Sequence, residues 1–370
     1  MVVGITSLVM LLLSVQDACT SCGGDGLIAC RTHGEEAEAV EKAVLFCSVV
    51  ASCGACGGTL LAPCPRCQTA PPAEWGQRKE QVAAWLKTMR RTDTFLECAL
   101  LHMETQHFIL TYGVKRLPYG QRGLGAHEGA HLYAVRLEEF FQRFCTDFSV
   151  TEADFLAKTQ VMIFDSGEVH AKASLEYTLQ SSDTASKLMG KTPVFTIFYD
   201  RSHLHEEFEL HQAVVHHVTH CLLSNVWDGI WPGKELGGWL DAGAAHHYEI
   251  EMFGGVRHYC WREADTMRLF KFGKWESLVK ELVTKGRKEP MLQLLVKATD
   301  QLTPEEHALS WSVVDFIRAE HAGRLGAVAK AVKEKQPLGV VFHTALGMGA
   351  SDVEEGWKKY VLKNYGKRKR

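Results

Sequence analysis

Residues 211–223, HQAVVHHVTHCLL, and residues 238–249, GWLDAGAAHHYE, are the two stretches on which the prediction of the fold depends. Residues four apart lie on one face of an α-helix, so His216 and His220 could hold one metal ion between them. Nine of the 18 histidines fall between residues 203 and 258, which marks this region as a candidate site. The two stretches therefore predict two neighbouring helices that carry metal-ligand side chains.

This arrangement resembles the gluzincin-type metalloproteases of the peptidase MA clan. In that family a strand is followed by a metal-binding helix with an HExxH motif and by a second helix with a Trp-Leu-x-Glu-Gly motif. The resemblance extends from about residue 105 to the C-terminus and includes a helix around Trp311 and another over residues 357–365. It implies an α+β fold, a metalloprotease-like domain with a small sheet and a large helical half.

The chain departs from the family pattern at two functional positions. His217 stands where the catalytic glutamate belongs, and Ala242 stands where the glutamate ligand belongs. Loss of a general base alone costs about 10²–10⁴ in rate, so the ordinary hydrolytic mechanism is not expected. No catalytic residue is therefore assigned on these helices.

A remodelled zinc site is an alternative that keeps hydrolytic activity. His246 lies one turn beyond the Trp-Leu motif, and with His216 and His220 it would form a three-histidine site. Glu249, a further turn along, could orient one of these ligands. His217 is about 100° away around the helix and is expected to meet solvent or a neighbouring carboxylate.

A second hydrolytic alternative is the literal HExxH sequence at residues 127–131, HEGAH. If it were catalytic, Glu128 would be the general base and His127 and His131 the metal ligands. This motif precedes the main strands, whereas the family places its motif after them, and a pattern with three fixed letters is weakly specific.

Hydrophobic periodicity predicts the other elements of the main domain. Two early helices and three strands are predicted: Trp75–Cys98 and Ala126–Phe144, then His107–Tyr112, Val161–Phe164 and Val194–Tyr199. From about residue 208 the pattern is mostly helical. Two late helices are predicted to begin with capping boxes, at Thr303–Glu306 and Ser351–Glu354, in which a hydroxyl and a glutamate bond the first amides.

Toward the N-terminus, eight of the 12 cysteines lie between residues 19 and 67 in a repeated pattern. CTSCGGDGLIACRTHG, which begins at residue 19, is matched by CGACGGTLLAPCPRCQ, which begins at residue 53. Cysteine pairs two residues apart, followed by glycines, let two sulfurs face one ion in a tight turn. We therefore predict two structural zinc ions with the ligands Cys19, Cys22, Cys30, His33, Cys53, Cys56, Cys64 and Cys67.

The repeat resembles the cysteine-rich zinc module of DnaJ-type chaperones, whose CxxCxGxG motif is complete here only in Cys19–Gly26. That family implies one metal shared by the outer two cysteine pairs and another shared by the inner two; one metal per repeat is the other arrangement. A disulfide framework is the alternative to zinc. Glu35–Val50, between the halves, is predicted to be a helix with Cys47 as a buried thiol.

The predicted organisation has four parts: a signal peptide at 1–18, the zinc module at 19–67, a linker at 68–80 and the peptidase-MA-like domain at 81–370. The apolar run Val2–Val15 is shorter than the roughly 20 residues that span a bilayer, and it fits a secretion signal. Export is therefore predicted, with a cytoplasmic location as the alternative. The mature chain is predicted to have no transmembrane span.

Composition limits the classes of function. The 370 residues carry a formal net charge of −3, so the chain lacks the positive field that non-specific nucleic-acid binding requires. With 46% hydrophobic and 23% charged residues, the chain is an ordinary globular protein. The predicted function is that of a non-catalytic peptidase-MA-like protein with structural zinc that binds a peptide or protein. The sequence does not specify an oligomeric state.

Overall fold

The computed structural model describes residues 19–30, 47–50, 56–67, 69–202, 204–258, 275–285 and 291–366. The predicted signal peptide, most of the helix predicted over Glu35–Val50, and two proposed zinc ligands, His33 and Cys53, lie outside these ranges. The described residues form a mixed α+β protein, which confirms the predicted fold class.

Ten strands are described. They are β1 Leu27–Ala29, β2 Cys47–Val50, β3 Leu61–Pro63, β4 Leu101–Thr105, β5 Phe108–Gly113, β6 Arg116–Tyr119, β7 Arg122–Gly125, β8 Thr159–Phe164, β9 Ala185–Leu188 and β10 Val194–Phe198. Six of them form the main sheet, in the order β2-β4-β5-β8-β10-β9. The β5–β8 and β8–β10 pairs are parallel, and the other pairs are antiparallel. The strands β1 and β3 form a separate small sheet, as do β6 and β7.

Helices lie between the strands and then dominate the second half of the chain. They are α1 Ala73–Leu96, α2 Ala126–Phe148, α3 Gly167–Thr178, α4 Glu207–Asn225, α5 Gly238–Phe253, α6 Trp275–Thr284, α7 Met291–Leu295, α8 Pro304–Glu320, α9 Leu325–Lys333, α10 Leu338–Leu346 and α11 Ala350–Asn364. None of the helices in the described ranges combines the length and the apolar character needed to cross a bilayer.

Helix α2 makes the crossover that the parallel strands β5 and β8 require. Its apolar face is buried, with Leu137, Phe140 and Phe144 each 3% exposed or less. The helix continues beyond its predicted end because Phe148, one turn after Phe144, stacks on that ring at a centroid distance of 4.3 Å. Burial of this face ties the helix to the main core.

Helix α4 follows strand β10 directly, and α5 packs against both α4 and α8. The glycine of the Trp-Leu-Asp-Ala-Gly motif has a packing role. A Cβ atom on Gly243 would lie 2.5 Å from the carbonyl oxygen of Ser310 in α8. The two helices can approach this closely because the side chain is absent, and the approach positions the buried polar residues of α5.

Of the two predicted capping boxes, one is confirmed and one is wrong. The Thr303 hydroxyl accepts a bond from the Glu306 amide at 3.3 Å, and the Glu306 carboxylate accepts one from the Thr303 amide at 2.8 Å. In contrast, α11 begins at Ala350, before Ser351, and the Asp352 carboxylate accepts from the Gly349 amide at 3.1 Å. The carboxylate at the third position of the earlier start satisfies that amide instead.

The helix predicted over Glu35–Val50 is wrong at its end, because Cys47–Val50 is strand β2. It pairs with the outer side of β4, with Val50 opposite Met103. A strand edge offers unpaired backbone groups, and adjacent valines suit an extended partner. Helix α1 begins at Ala73, inside the predicted linker, directly after Pro72.

Candidate metal centres

The small antiparallel sheet of β1 and β3 brings the first and last cysteine pairs of the N-terminal module together. Its register places Leu27 opposite Pro63. The sulfur of Cys19 lies 3.9 Å from that of Cys64, and the sulfur of Cys22 lies 3.4 Å from that of Cys67. All four sulfurs lie within 4.8 Å of one another, so this outer cysteine site could hold a metal ion.

These sulfur distances exceed the S–S bond length of about 2.05 Å, and the four residues are thiols in the structure. Tetrahedral zinc with Zn–S bonds of about 2.3 Å separates its sulfur ligands by about 3.8 Å. The observed spacing therefore fits a metal site rather than a disulfide framework.

Backbone turns at the cysteine pairs shape the outer site. Gly23 has φ +63°, in the left-handed region that glycine adopts without strain. Hydrogen bonds from the Thr69 backbone and side chain lower the pKa of Cys67 to about 6. A backbone hydrogen bond from Ser21 likewise lowers the pKa of Cys19, whereas burial raises that of Cys22 to about 11. Two of the thiols, Cys19 and Cys67, thus favour the thiolate form that binds a metal.

The sequence is compatible with two ways of combining the four ligand pairs around the metal ions. In the structure, the two outer pairs, Cys19/Cys22 and Cys64/Cys67, lie together. The inner cysteines Cys30 and Cys56 pack against each other as a buried cluster. Both the outer and the inner contacts therefore link the first half of the repeat to the second half. The inner set's other predicted ligands, His33 and Cys53, lie outside the described residues.

The histidine site is formed by α4 and α5 and is completely buried. His216, His246 and Glu249 lie together and could hold a metal ion. The Nδ1 atoms of His216 and His246 lie 3.0 and 3.1 Å from the same carboxylate oxygen, Oε2 of Glu249. The solvent-exposed fraction of each of these residues is 0%.

The other carboxylate oxygen of Glu249 accepts three further hydrogen bonds. The donors are the Gln212 side-chain amide at 3.1 Å and the backbone amides of Arg257 and His258 at 3.1 and 3.2 Å. Such bonds offset the cost of burying a charge. The sequence predicted only an orienting role for Glu249, whereas the carboxylate lies at the centre of the site.

His220, the third histidine predicted as a ligand, borders this group. Its Nε2 atom lies 3.3 Å from Nε2 of His216, and its Nδ1 atom lies 2.8 Å from the Asp241 carboxylate. Asp241 also accepts hydrogen bonds from Trp231 and Thr299, both at 2.8 Å. The carboxylate therefore favours the tautomer of His220 with its proton on Nδ1.

The protonation states of these rings bear on metal binding. Burial lowers the pKa of His216, of His220 and of His246, so the neutral rings are favoured near pH 7. If His216 donated Nδ1–H to Glu249, its Nε2 lone pair would face the Nε2 lone pair of His220. A cation held by Glu249 and by Nδ1 of His216 would leave the ring proton on Nε2, where His216 could donate it to Nε2 of His220. The donor set thus fits a metal ion at His216, His246 and Glu249.

His307, in α8, is a member of the cluster that sequence reasoning missed. Its Nδ1 atom lies 3.0 Å from Nε2 of His246, and it is 2% exposed. Burial lowers the pKa of His307 to about 3. The two residues are 61 positions apart, and no local spacing links them.

The prediction for His217 is wrong, because its ring is buried and meets a cation. His217 is 4% exposed, and Lys187 in the edge strand β9 donates a hydrogen bond from Nζ to its Nδ1 at 2.9 Å. Strand β9 covers this side of α4, so helical geometry alone could not show what the ring meets.

The HEGAH motif lies at the first turn of α2, where Glu128 has a structural contact. Its carboxylate accepts a hydrogen bond from the Gly125 amide at 2.8 Å, as in a capping box. The rings of His127 and His131 are 4.6 Å apart between centroids. Among the described residues, no third group completes a metal site with them.

Replacing Glu128 with Gln is expected to change little. Glutamine at the third helical position can still accept the Gly125 bond, so the free energy of unfolding should stay within about 0.5 kcal/mol of wild type. Urea unfolding and metal analysis test this expectation. A decrease of more than about 1 kcal/mol in the free energy of unfolding would contradict it.

Comparison with models of protein families gave no match to this chain, and comparison with curated proteins gave none either.

Proposed function

We propose that the chain is a non-catalytic metal-binding protein of peptidase-MA-like layout whose role is to bind a peptide or protein. The observation that carries this proposal is the burial of the histidine site. His216, His220, His246 and Glu249 each have an exposed fraction of 0%. A catalytic zinc needs an open position that substrate can reach, whereas a structural zinc is closed by protein ligands.

The group at the general-base position also supports a non-catalytic role. A hydrolase needs a base that accepts a proton from metal-bound water. His217 is instead hydrogen-bonded to the Lys187 ammonium, and both burial and Lys187 lower its pKa. The resemblance to gluzincin-type metalloproteases supports the proposed layout of strand, metal-binding helix and second helix. His217 and Ala242, which stand in place of the two glutamates of that family, argue against hydrolytic activity.

Zinc is the metal proposed for the outer cysteine site, because four thiolates in tetrahedral spacing favour it. A second zinc is proposed at Cys30 and Cys56 with Cys53 and His33. The resemblance to a DnaJ-type module supports this assignment. At the histidine site, two imidazoles and one carboxylate also suit zinc, which would tie α4 to α5. Export of the chain remains part of the proposal and rests on the apolar run at its N-terminus.

The proposal is tested on the purified full chain by elemental analysis and by a hydrolysis assay with a mixture of fluorescence-quenched peptides. We expect bound zinc that decreases in Cys64→Ser and, separately, in His216→Gln. We expect no peptide turnover above that of buffer. Zinc near zero in the wild-type chain would show that the zinc assignments are wrong.

The rival function is that of an active hydrolase, with its catalytic site either at the buried histidines or at HEGAH. The variants distinguish these two sites. Turnover that is lost with a chelator and in His216→Gln would place catalysis at the buried histidines. Turnover that is lost in Glu128→Gln but kept in His216→Gln would place it at HEGAH. Either result would overturn the non-catalytic proposal.

A further inference from the structure

We infer that the outward face of α1 is a docking surface for an acidic peptide segment of a partner protein. This inference rests on the proposed binding role and names the surface and the class of partner. The surface is the α1 stripe, defined by Ala84, Lys87, Arg90, Arg91 and Phe95. It borders a groove of about 600 Å³ that Thr88 and Thr94 also line.

Helix α1 is long but has little contact with the protein core. Of its 24 residues, Val82 and Leu96 are the buried ones. Its inner face is held by polar contacts, with Asp93 2.7 Å from His102 and the Tyr177 hydroxyl 3.0 Å from Thr92. A long, mostly polar helix gains little stability from burial in a core. Such a helix is expected to bridge two parts of a molecule or to contact a partner.

Most of the α1 stripe lies on the side opposite to these anchors, and Arg90 lies at its edge, about 80° from Val82 around the helix axis. At 100° per residue, Arg91 is about 180° from Val82 around the helix axis, and Ala84 and Phe95 lie within about 40° of Arg91. Phe95 is 46% exposed. An aromatic ring between cations makes the stripe amphipathic.

The cations of the stripe lack the ion pairs that many other cations in the described part of the chain form. Lys172, Lys158 and Arg318 each pair with a glutamate at 2.8 Å. Within the described part of the chain, Lys87, Arg90 and Arg91 form no such ion pair. Three neighbouring positive charges without internal counter-charges are complementary to an acidic partner.

The walls of the groove suit an apolar side chain between the acidic ones. The hydroxyls of Thr88 and Thr94 donate back to the carbonyls of Ala84 and Arg90, at 3.3 and 3.0 Å. With those hydroxyls occupied, Ala84, Phe95 and the aliphatic stems of the basic residues offer apolar surface. A peptide with an aromatic or aliphatic residue flanked by Asp or Glu matches this surface.

An acidic peptide fits better than a nucleic acid or a membrane. Strong nucleic-acid binding uses about 6–10 phosphate contacts, and the stripe has three cations on a chain whose net charge is −3. Binding in a membrane interface needs a continuous apolar face, whereas the stripe exposes a single large apolar side chain. A peptide of mixed acidic and apolar character needs neither.

The inference is tested by selecting peptides from a random 16-residue display library on the immobilised full chain. We expect enrichment of peptides with Asp or Glu flanking an apolar residue. The most enriched peptide, fluorescently labelled, should bind the triple variant Lys87→Glu/Arg90→Glu/Arg91→Glu at least about tenfold more weakly, and Phe95→Ala about tenfold more weakly.

A matched control reverses three exposed cations elsewhere, in Lys234→Glu/Arg324→Glu/Lys363→Glu, and should bind the selected peptide with wild-type affinity. Equal losses in both triple variants would mean that net charge alone governs binding, and the inference would be wrong. It would also be wrong if no acidic peptides were enriched. If a 20-nucleotide DNA or anionic vesicles bound more tightly than any selected peptide, the surface would belong to another class of partner and the inference would be wrong. Zinc analysis and the hydrolysis assay on the same preparation show separately whether the proposed function holds.

Discussion

Replacing Cys64 with Ser is expected to abolish metal binding at the outer cysteine site and to unfold the small sheet of β1 and β3. Ligation of structural zinc supplies apparent free energies of about 10–16 kcal/mol in small zinc modules at pH 7. Few other contacts are available to replace it, because β1 and β3 are three residues each. The same loss should loosen the start of α1, where the Trp75 indole donates to the Thr59 hydroxyl at 3.2 Å.

Elemental analysis measures the lost zinc, and limited proteolysis measures the unfolding as new cleavage within residues 19–67. Cys98→Ser is the matched control, because Cys98 is half-buried and lies outside the metal groups of the described chain. It should keep both zinc content and protease resistance. Unchanged zinc in Cys64→Ser would show that the outer site does not bind this metal.

Replacing Glu249 with Gln is expected to destabilise the fold by about 3–5 kcal/mol, the usual result of removing one partner from a buried charged network. Glu249 accepts hydrogen bonds at Oε1, and its Oε2 lies beside Nδ1 of His216 and of His246, so the carboxylate joins α4 to α5. An amide has one acceptor oxygen and would direct its NH₂ group at donors. We also expect the variant to lose metal from the histidine site.

Urea unfolding measures the change in free energy, and elemental analysis measures the metal. Glu138→Gln is the matched control: Glu138 is equally buried and bonds the amide and Nδ1 of His107 at 2.9 and 2.6 Å, away from the histidine site. It should also lose stability but keep its metal. If Glu249→Gln retained wild-type metal content, Glu249 would not be a ligand.

Much of the architecture follows from local patterns in the chain. The apolar spacing over residues 126–144 is that of an amphipathic helix, and α2 occupies it. The alternation and β-branched residues around Val161 and Val194 likewise correspond to β8 and β10. The capping box at Thr303 marks the start of α8. These features depend on neighbours within one or two turns, which the sequence displays directly.

Metal-ligand chemistry was also recognisable in the chain, since cysteine pairs two residues apart and histidines four apart each place two donors on one side of a turn or helix. The arrangement of the complete sites was not. The closeness of Cys19 to Cys64 depends on the pairing of β1 with β3, and the contact of His307 with His246 depends on the packing of α8 against α5.

The strand Cys47–Val50 is a second case in which packing between distant segments, and not the local sequence, determines the structure. The helix prediction rests on the longer stretch Glu35–Val50, and pairing with the free edge of β4 makes its last four residues, with their adjacent valines, a strand. His217 similarly meets Lys187 only because β9 lies over α4. Local propensity and spacing act over a few residues and can be read along the chain. The ligand sets, the burial of the histidine site and the partners of its rings arise from segments that are distant in sequence, so they are defined only when those segments pack together.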